Sequence, residues 1–417
     1  MLTDPEERRR LRQEKAAQRQ QRQNQLKRLL IRLSVAAVIL IACGVLIFCL
    51  TRDALSGSPS AEQTLPTETG IQQEETLPPT TVIHYAAAGD LNINDKTVGT
   101  GVYYDTFLDV AHLLARADVT SVNFEGTLCG APYGSTFSAP QALAEALKTA
   151  GVDLVQMANS YSINKGLSGL ATSIDAVRAA GMEPLGVYAS NAEFNQRKGY
   201  TLCTVDGVKL AFVAFTKGMD GMTLPAGGEH CVNVLYTDYD SSYQEVDTEG
   251  ITSILAAAAK EKPDLVIALL HWGSEFNDTI SSSQEKIVSL LQKNGVDAII
   301  GTHSHYVQKI ELDEETGRFV AYSLGDFFSD GQRAGTEYSV ILDLEITKDN
   351  LTGETRITDY SYTPIFTVHE ENQPLRVMRI NEAVSAYQNN FISKVSLDTY
   401  NQMLYALGRI EARVAGE

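Results

Sequence analysis

The pattern of apolar and polar positions changes character twice along this chain. After a polar start, Leu33 to Leu50 runs 18 residues without a charge, long enough to cross a bilayer core as a helix. Residues 51–81 have no apolar period and are rich in Ser, Thr, Pro, Glu and Gln, the composition of a disordered, extended stalk. From Val82 onward short apolar runs alternate with stretches of helical spacing. The runs His84–Ala88, Val119–Phe124, Asp153–Ala158, Asp264–Leu270 and Ala298–Ile300 read as strands. Between and after them, Tyr104–Ala115, Pro140–Ala150, Leu167–Ala180, Ile251–Lys260, Gln284–Lys293 and residues 380–413 read as helices, with Gly151 and Gly181 as stop signals. Asp206-Gly207 between two apolar runs predicts a tight hairpin, and a second pairing flanks Thr316-Gly317. Strands near 338–346 and 356–364 follow. Strands alternating with helices predict an α/β domain with a mostly parallel sheet covered on both faces, extended by antiparallel strands.

Charge sharpens the N-terminal picture. Residues 1–32 carry ten Lys or Arg against four acids, so they hold +6 of a chain whose net charge is −18, and the rest holds −24. A basic tail before an apolar span places that tail in the cytoplasm and the main domain outside the cell, by the positive-inside rule. The rival is a cleaved signal peptide, but no small-residue cleavage site follows the span at once. This predicts a basic cytosolic tail (1–32), a single-pass membrane anchor (33–50), a stalk (51–81), a large domain (82–370) and a helical C-terminal extension (371–417). An acidic body excludes nucleic acid as a natural partner. Cys129, Cys203 and Cys231 have no metal-binding spacing, and the sequence leaves open whether two of them pair.

The chemistry gathers at strand ends. Ile299 to His305 runs from a buried strand into Gly301-Thr302-His303-Ser304-His305, which puts two of the seven histidines on one turn. Asp90, Asn123, Glu125, Asn159 and His271 also fall at or just past strand ends, which lie on one edge of a parallel sheet. Singly, each has a plain reading: Asp90 caps a turn, Glu125 is a surface charge, His271 is a satisfied core histidine. Jointly, carboxylates, an amide and imidazoles suit Zn²⁺, Mn²⁺ or Fe better than Ca²⁺, and they suit metal-assisted hydrolysis. Trp272 and Phe124 read as walls of such a site or as core aromatics.

Gly89-Asp90, Asn123-Phe124-Glu125-Gly126, Ala158-Asn159, His271-Trp272-Gly273, Gly301-Thr302-His303-Ser304-His305 and Tyr322-Ser323-Leu324-Gly325-Asp326-Phe327 stand in an order that resembles the CapA-type poly-gamma-glutamate capsule synthesis proteins. The resemblance spans about residues 82–366. It implies a four-layer αββα sandwich of the metallophosphoesterase-like type and one or two divalent metal ions. It implies Asp90, Glu125, His271, His303 and His305 as ligands, with Asn123 in support. It also implies a place among capsule-synthesis membrane proteins and poly-gamma-glutamate as a partner, although a body near −24 repels that polyanion. Where the family shows Asn-Asn-His, this chain has Asn159-Ser160-Tyr161. Asn159 and Tyr161 therefore stand at catalytic positions, but an unperturbed phenol, with a pKa of about 10, is a poor substitute for an imidazole acid. Three functions stay open: capsule synthesis with weak hydrolysis, an active phosphoesterase on a cell-wall or lipid-linked substrate, and a non-catalytic assembly factor.

Overall fold

The computed structural model describes residues 79–99, 101–331, 333–391 and 395–417. The tail, the anchor span and nearly all of the stalk lie outside those residues. Among the described residues, no helix is long and apolar enough to cross a membrane.

Among the described residues, fourteen strands form two sheets. The first contains β1 (Thr80–Asn92), β2 (Val119–Glu125), β3 (Leu154–Gln156), β4 (Glu183–Leu185) and, from later in the chain, β11 (Asp326–Phe328), β12 (Tyr338–Asp349), β13 (Thr355–Val368) and β14 (Arg376–Arg379). Its order is β14-β13-β12-β1-β2-β3-β4, with β11 also pairing β1. The second contains β5 (Tyr200–Val205), β6 (Val208–Thr216), β7 (Leu265–His271), β8 (Ala298–Thr302), β9 (Ile310–Asp313) and β10 (Arg318–Ala321), in the order β5-β6-β7-β8-β10-β9. The single sheet suggested by the alternating pattern is therefore two. Period-two patterning tells a strand which faces are buried but not which sheet it joins.

Alternation along β6 shows how the layers form. Leu210, Phe212 and Ala214 point into a core shared with Ile83, Tyr85 and Ala87 of β1, where the Tyr85 and Phe212 rings meet edge-on at 5.3 Å. Ala211, Val213 and Phe215 point the other way, onto Ile251, Leu255, Ile287 and Leu291 of helices Thr248–Ala259 and Ser282–Lys293. On the far side of the first sheet, Val122, Phe124 and Val155 bury against Leu143, Leu147, Leu170 and Ile174 of helices Gln141–Ala150 and Gly166–Ala179. Each sheet thus has one face on the other sheet and one face under helices.

Several local expectations change. The helix expected over 104–115 is two, Tyr103–Phe107 and Ala111–Arg116, because the chain turns at Leu108, which is 47% exposed despite its apolar spacing. Helix Asn191–Arg197 has no buried residue, so no apolar stripe announced it. The segment after 370 is not wholly helical. It opens with β14 on the edge of the first sheet, and Ile380, Met403, Ala406 and Ile410 of its two helices then join the core between the sheets. The hairpin at Asp206-Gly207 forms as the dipeptide predicts.

Candidate metal centre

Parallel strands from both sheets deliver polar side chains to one place. In the first sheet, Asp90 pairs with Asn123 on one side and Asp326 on the other, and Asn92 lies opposite Glu125. In the second, His271 lies opposite Thr302, one residue before His303. Two glycines permit this. A Cβ on Gly89 would sit 1.8 Å from the carbonyl of Gly325, which accepts the Asp90 amide at 2.9 Å. A Cβ on Gly301 would sit 2.0 Å from the Tyr322 carbonyl. Beyond β8 the turn is strained: His303 and His305 adopt left-handed φ of 90° and 60°, uncommon for residues with a side chain.

The side chains form a continuous polar network. Asn123 Nδ2 lies 2.6 Å from Asp90 Oδ1, 3.2 Å from Glu125 Oε1 and 3.3 Å from His271 Nδ1. Asn159 Nδ2 donates to Asn123 Oδ1 at 3.0 Å and to the Phe124 carbonyl at 2.7 Å, so its amide holds Asn123 in place. The His303 main-chain amide donates to Asp90 Oδ2 at 2.9 Å. His305 Nδ1 lies 2.7 Å from Asp326 Oδ1 and 3.7 Å from Asp90 Oδ2. Ser160 Oγ lies 3.1 Å from His271 Nε2.

Two clusters result. Glu125, His271 and His303 form one, and Asp90, His305 and Asp326 the other; in each, one ligand atom per residue lies within 4.8 Å of the others. Burial lifts Asp90 above the carboxylate range, and burial together with the charge of Asp90 lifts Glu125 well above it. Burial lifts Asp326 to about 6, against the pull of His305. Burial, then the neighbouring histidines, hold His271 far below the usual imidazole range, and burial with Lys217 does the same to His303. His305 behaves oppositely. Burial works against its charge, but Asp326, Glu125 and Asp90 outweigh burial and carry it to about 11.

The sequence-predicted residues Asp90, Asn123, Glu125, Asn159, His271, His303 and His305 all meet here. Tyr161 stands at the rim. Its ring packs on Phe137 at 4.7 Å, and burial, then Glu125, push its phenol above its ordinary range, away from acid work near neutrality. It lines a cavity of about 300 Å³ with Phe137, Phe276, His305, Asp326 and Arg333. Phe276 stacks on His305 at 5.0 Å, and the Arg333 guanidinium lies over the Phe276 ring at 3.8 Å. Reasoning from strand ends missed Asp326, Ser160 and Phe276 as parts of the site. Asp326 had a signal, as the acid in a Ser-Leu-Gly-Asp-Phe motif; Phe276 sits in an irregular loop and had none. Cys129, Cys203 and Cys231 are all unpaired.

The residues fit a divalent cation. Both ring nitrogens of His303 are buried without a hydrogen-bond partner, a state that costs about 1–3 kcal/mol when nothing satisfies it. Three carboxylates are buried together, and His305 is the one positive group among their strongest charge partners. That shortage of positive charge, with imidazole and carboxylate donors converging, is the chemistry of a transition-metal site.

The sequence model of the bacterial capsule synthesis protein PGA_cap matches residues 83–331. The chain is 23% identical over 286 residues to the capsule biosynthesis protein CapA of Bacillus anthracis, covering 65% of this chain and 66% of that protein. It is 24% identical over 212 residues to the PGA biosynthesis protein CapA of Bacillus subtilis, covering 51% of each. The chain thus spans between half and two thirds of the length of these curated relatives. Among solved structures it is similar to the calcineurin-like phosphoesterase YfkN of Bacillus subtilis, at 15% identity and a TM-score of 0.43, over 79% of this chain and 100% of that one. That likeness is too slight to bear on chemistry.

Proposed function

Since the chain belongs to the CapA-type family of bacterial capsule synthesis proteins, we propose that it is an accessory protein of poly-gamma-glutamate synthesis or export whose main domain holds a divalent metal centre. In this reading residues 33–50 anchor the chain in the membrane and residues 51–81 hold the domain outside the cell, beside other membrane proteins of capsule synthesis. The observation that carries the metal reading is the pair of abutting clusters, with both His303 ring nitrogens unpartnered.

Glu125, His271 and His303 would hold one ion, and Asp90, His305 and Asp326 a second; Zn, Mn and Fe match the donors. A cation there would supply Lewis acidity toward a phosphoryl or carboxyl oxygen. The chain's own residues orient the set. Asn159 fixes Asn123, Asn123 holds the facing oxygens of Asp90 and Glu125, and Asp326 fixes His305. Hydrolysis is weak in this reading, because Tyr161 packs on Phe137 where an imidazole acid would serve and its phenol holds its proton.

Metal analysis of the purified chain should find bound transition metal, reduced in His303→Ala and His305→Ala. Equal, negligible metal in all three would end the metal reading. Phosphodiester turnover should be low in the wild type. A high turnover abolished by Asp90→Ala would instead make the protein an active phosphoesterase. Deleting the chain in its host should lower surface poly-gamma-glutamate, with rescue by wild type and not by His303→Ala if the metal matters to the role.

A further inference from the structure

The last helix, Leu397–Ala415, lies beyond residues 83–331, where the family match ends, and gives no side chain to either cluster. Its apolar face already docks it: Met403, Ala406, Ile410 and Val414 bury into the core between the sheets. Arg413, beside Val414, is buried as well, at 7% exposure. A buried guanidinium is a poor fastener, because its desolvation offsets what its ion pair contributes, and an apolar side chain of similar size would hold a helix as well. What Arg413 does that an apolar residue could not is address three segments with directed contacts. It donates to Asp278 at 3.1 Å and to the Tyr338 hydroxyl at 3.3 Å, and its guanidinium lies over the Tyr306 ring at 4.5 Å.

Tyr306 and Asp278 belong to the two loops on the His305 side of the centre. Tyr306 follows the His303–His305 turn, whose left-handed φ at residues with side chains persists only where surrounding contacts over-determine it. The His303 N–H donates to Asp90 Oδ2 at 2.9 Å, and the Ser304 carbonyl accepts the Phe276 N–H at 2.8 Å. Gln308 Nε2 donates to the Asn277 carbonyl at 2.9 Å, and the Tyr306 hydroxyl donates to the Ala334 carbonyl at 3.1 Å. The Ser304 and Gln308 bonds tie turn and loop to each other. Arg413 ties the pair to a helix anchored in the core, clasping Tyr306 from the turn and Asp278 from the loop. Arg409, 3.6 Å from Asp278, gives that carboxylate a second cation, so replacing Arg413 does not leave it bare.

We propose that Arg413 is a positioning residue for the metal centre, bracing the His303–His305 turn and the Phe276 loop against the C-terminal helix. The brace needs no ion, whereas its consequence for metal rests on the metal reading above, so two measurements separate them. In the full-length chain held in chelator, amide hydrogen exchange compares His303 and Phe276, whose N–H groups bond Asp90 and Ser304, with Ile267 in the central strand β7. Arg413→Met keeps apolar bulk and loses the guanidinium. It should speed exchange at His303 and Phe276 about 10–100-fold and at Ile267 by less than about threefold. Tyr306→Leu leaves the helix untouched and should do the same, and the double variant should add little to either single change. Equal acceleration at all three amides would make Arg413 a fastener of the helix alone and overturn the proposal. Unchanged exchange at His303 and Phe276, or full additivity of the two variants, would overturn it too. In Co²⁺ titrations followed by absorbance, Arg413→Met should bind about tenfold more weakly than wild type. Equal affinity would overturn the positioning role. A wild type that binds no Co²⁺ ends the metal reading, and hydrogen exchange still decides the brace.

Discussion

The two clusters are built from the same side-chain types but are balanced differently. Asp90, His305 and Asp326 contain their own countercharge: His305 is held protonated and its Nδ1 is 2.7 Å from Asp326. Glu125, His271 and His303 contain none. Both imidazoles are held neutral, Glu125 has its carboxyl raised by burial and Asp90, and His303 bonds to nothing through its ring. One cluster is an ion pair that a cation would have to displace; the other holds no positive group of its own and includes His303, whose two ring nitrogens have no partner. Donor type alone does not make a metal site equally eager for metal. What matters is how far the donors satisfy one another without it.

The sharpest way to break this comparison is to neutralise one carboxylate in each cluster and watch the signs. Asp326→Asn removes the partner of a buried cation, which should destabilise the metal-free chain by about 3 kcal/mol. Glu125→Gln removes a buried carboxylate whose charge burial disfavours, so it should stabilise the metal-free chain by about 1–2 kcal/mol. Urea denaturation in chelator measures both. With saturating metal the second sign should reverse, since a neutral amide is a poorer ligand than the carboxylate it replaces. If both variants destabilise the chelated chain alike, the clusters are not balanced differently and the contrast falls.

Much of the site was legible before the fold was known, for a physical reason. Asp90, Glu125, His271 and His303 each follow an apolar run, and a parallel strand buried on both faces must end where such a run ends. What failed was the assignment of those ends to sheets. Asn123 meets His271 across 148 residues and Ser160 meets it across 111, and no local pattern records a contact between two sheets. Asp326 escaped the strand-end reasoning because β11 is only three residues long and begins with the functional residue itself. β14 escaped because a four-residue edge strand leading directly into a helix offers too few positions for alternation to show.

A smaller effect tests whether the self-balanced cluster is also the sheltered one. Phe276 covers His305, held over it by its own amide, which donates to the Ser304 carbonyl at 2.8 Å, while the Arg333 guanidinium lies over the Phe276 ring. The other ring Phe276 meets is Tyr306, so its aromatic contacts stay on the His305 side of the site. Phe276→Ala should therefore cost about 1 kcal/mol of stability, the scale of one stacked aromatic contact. It should also open the 300 Å³ cavity, which Phe276 lines with His305, to water. Wetter surroundings let Asp326 and His305 be solvated separately, so the later Asp326→Asn change should cost less in the Phe276→Ala background than alone. A double-mutant cycle reads that coupling directly. Additive effects would mean that Phe276 merely packs, and that the strength of the His305–Asp326 pair owes nothing to the aromatic cover above it.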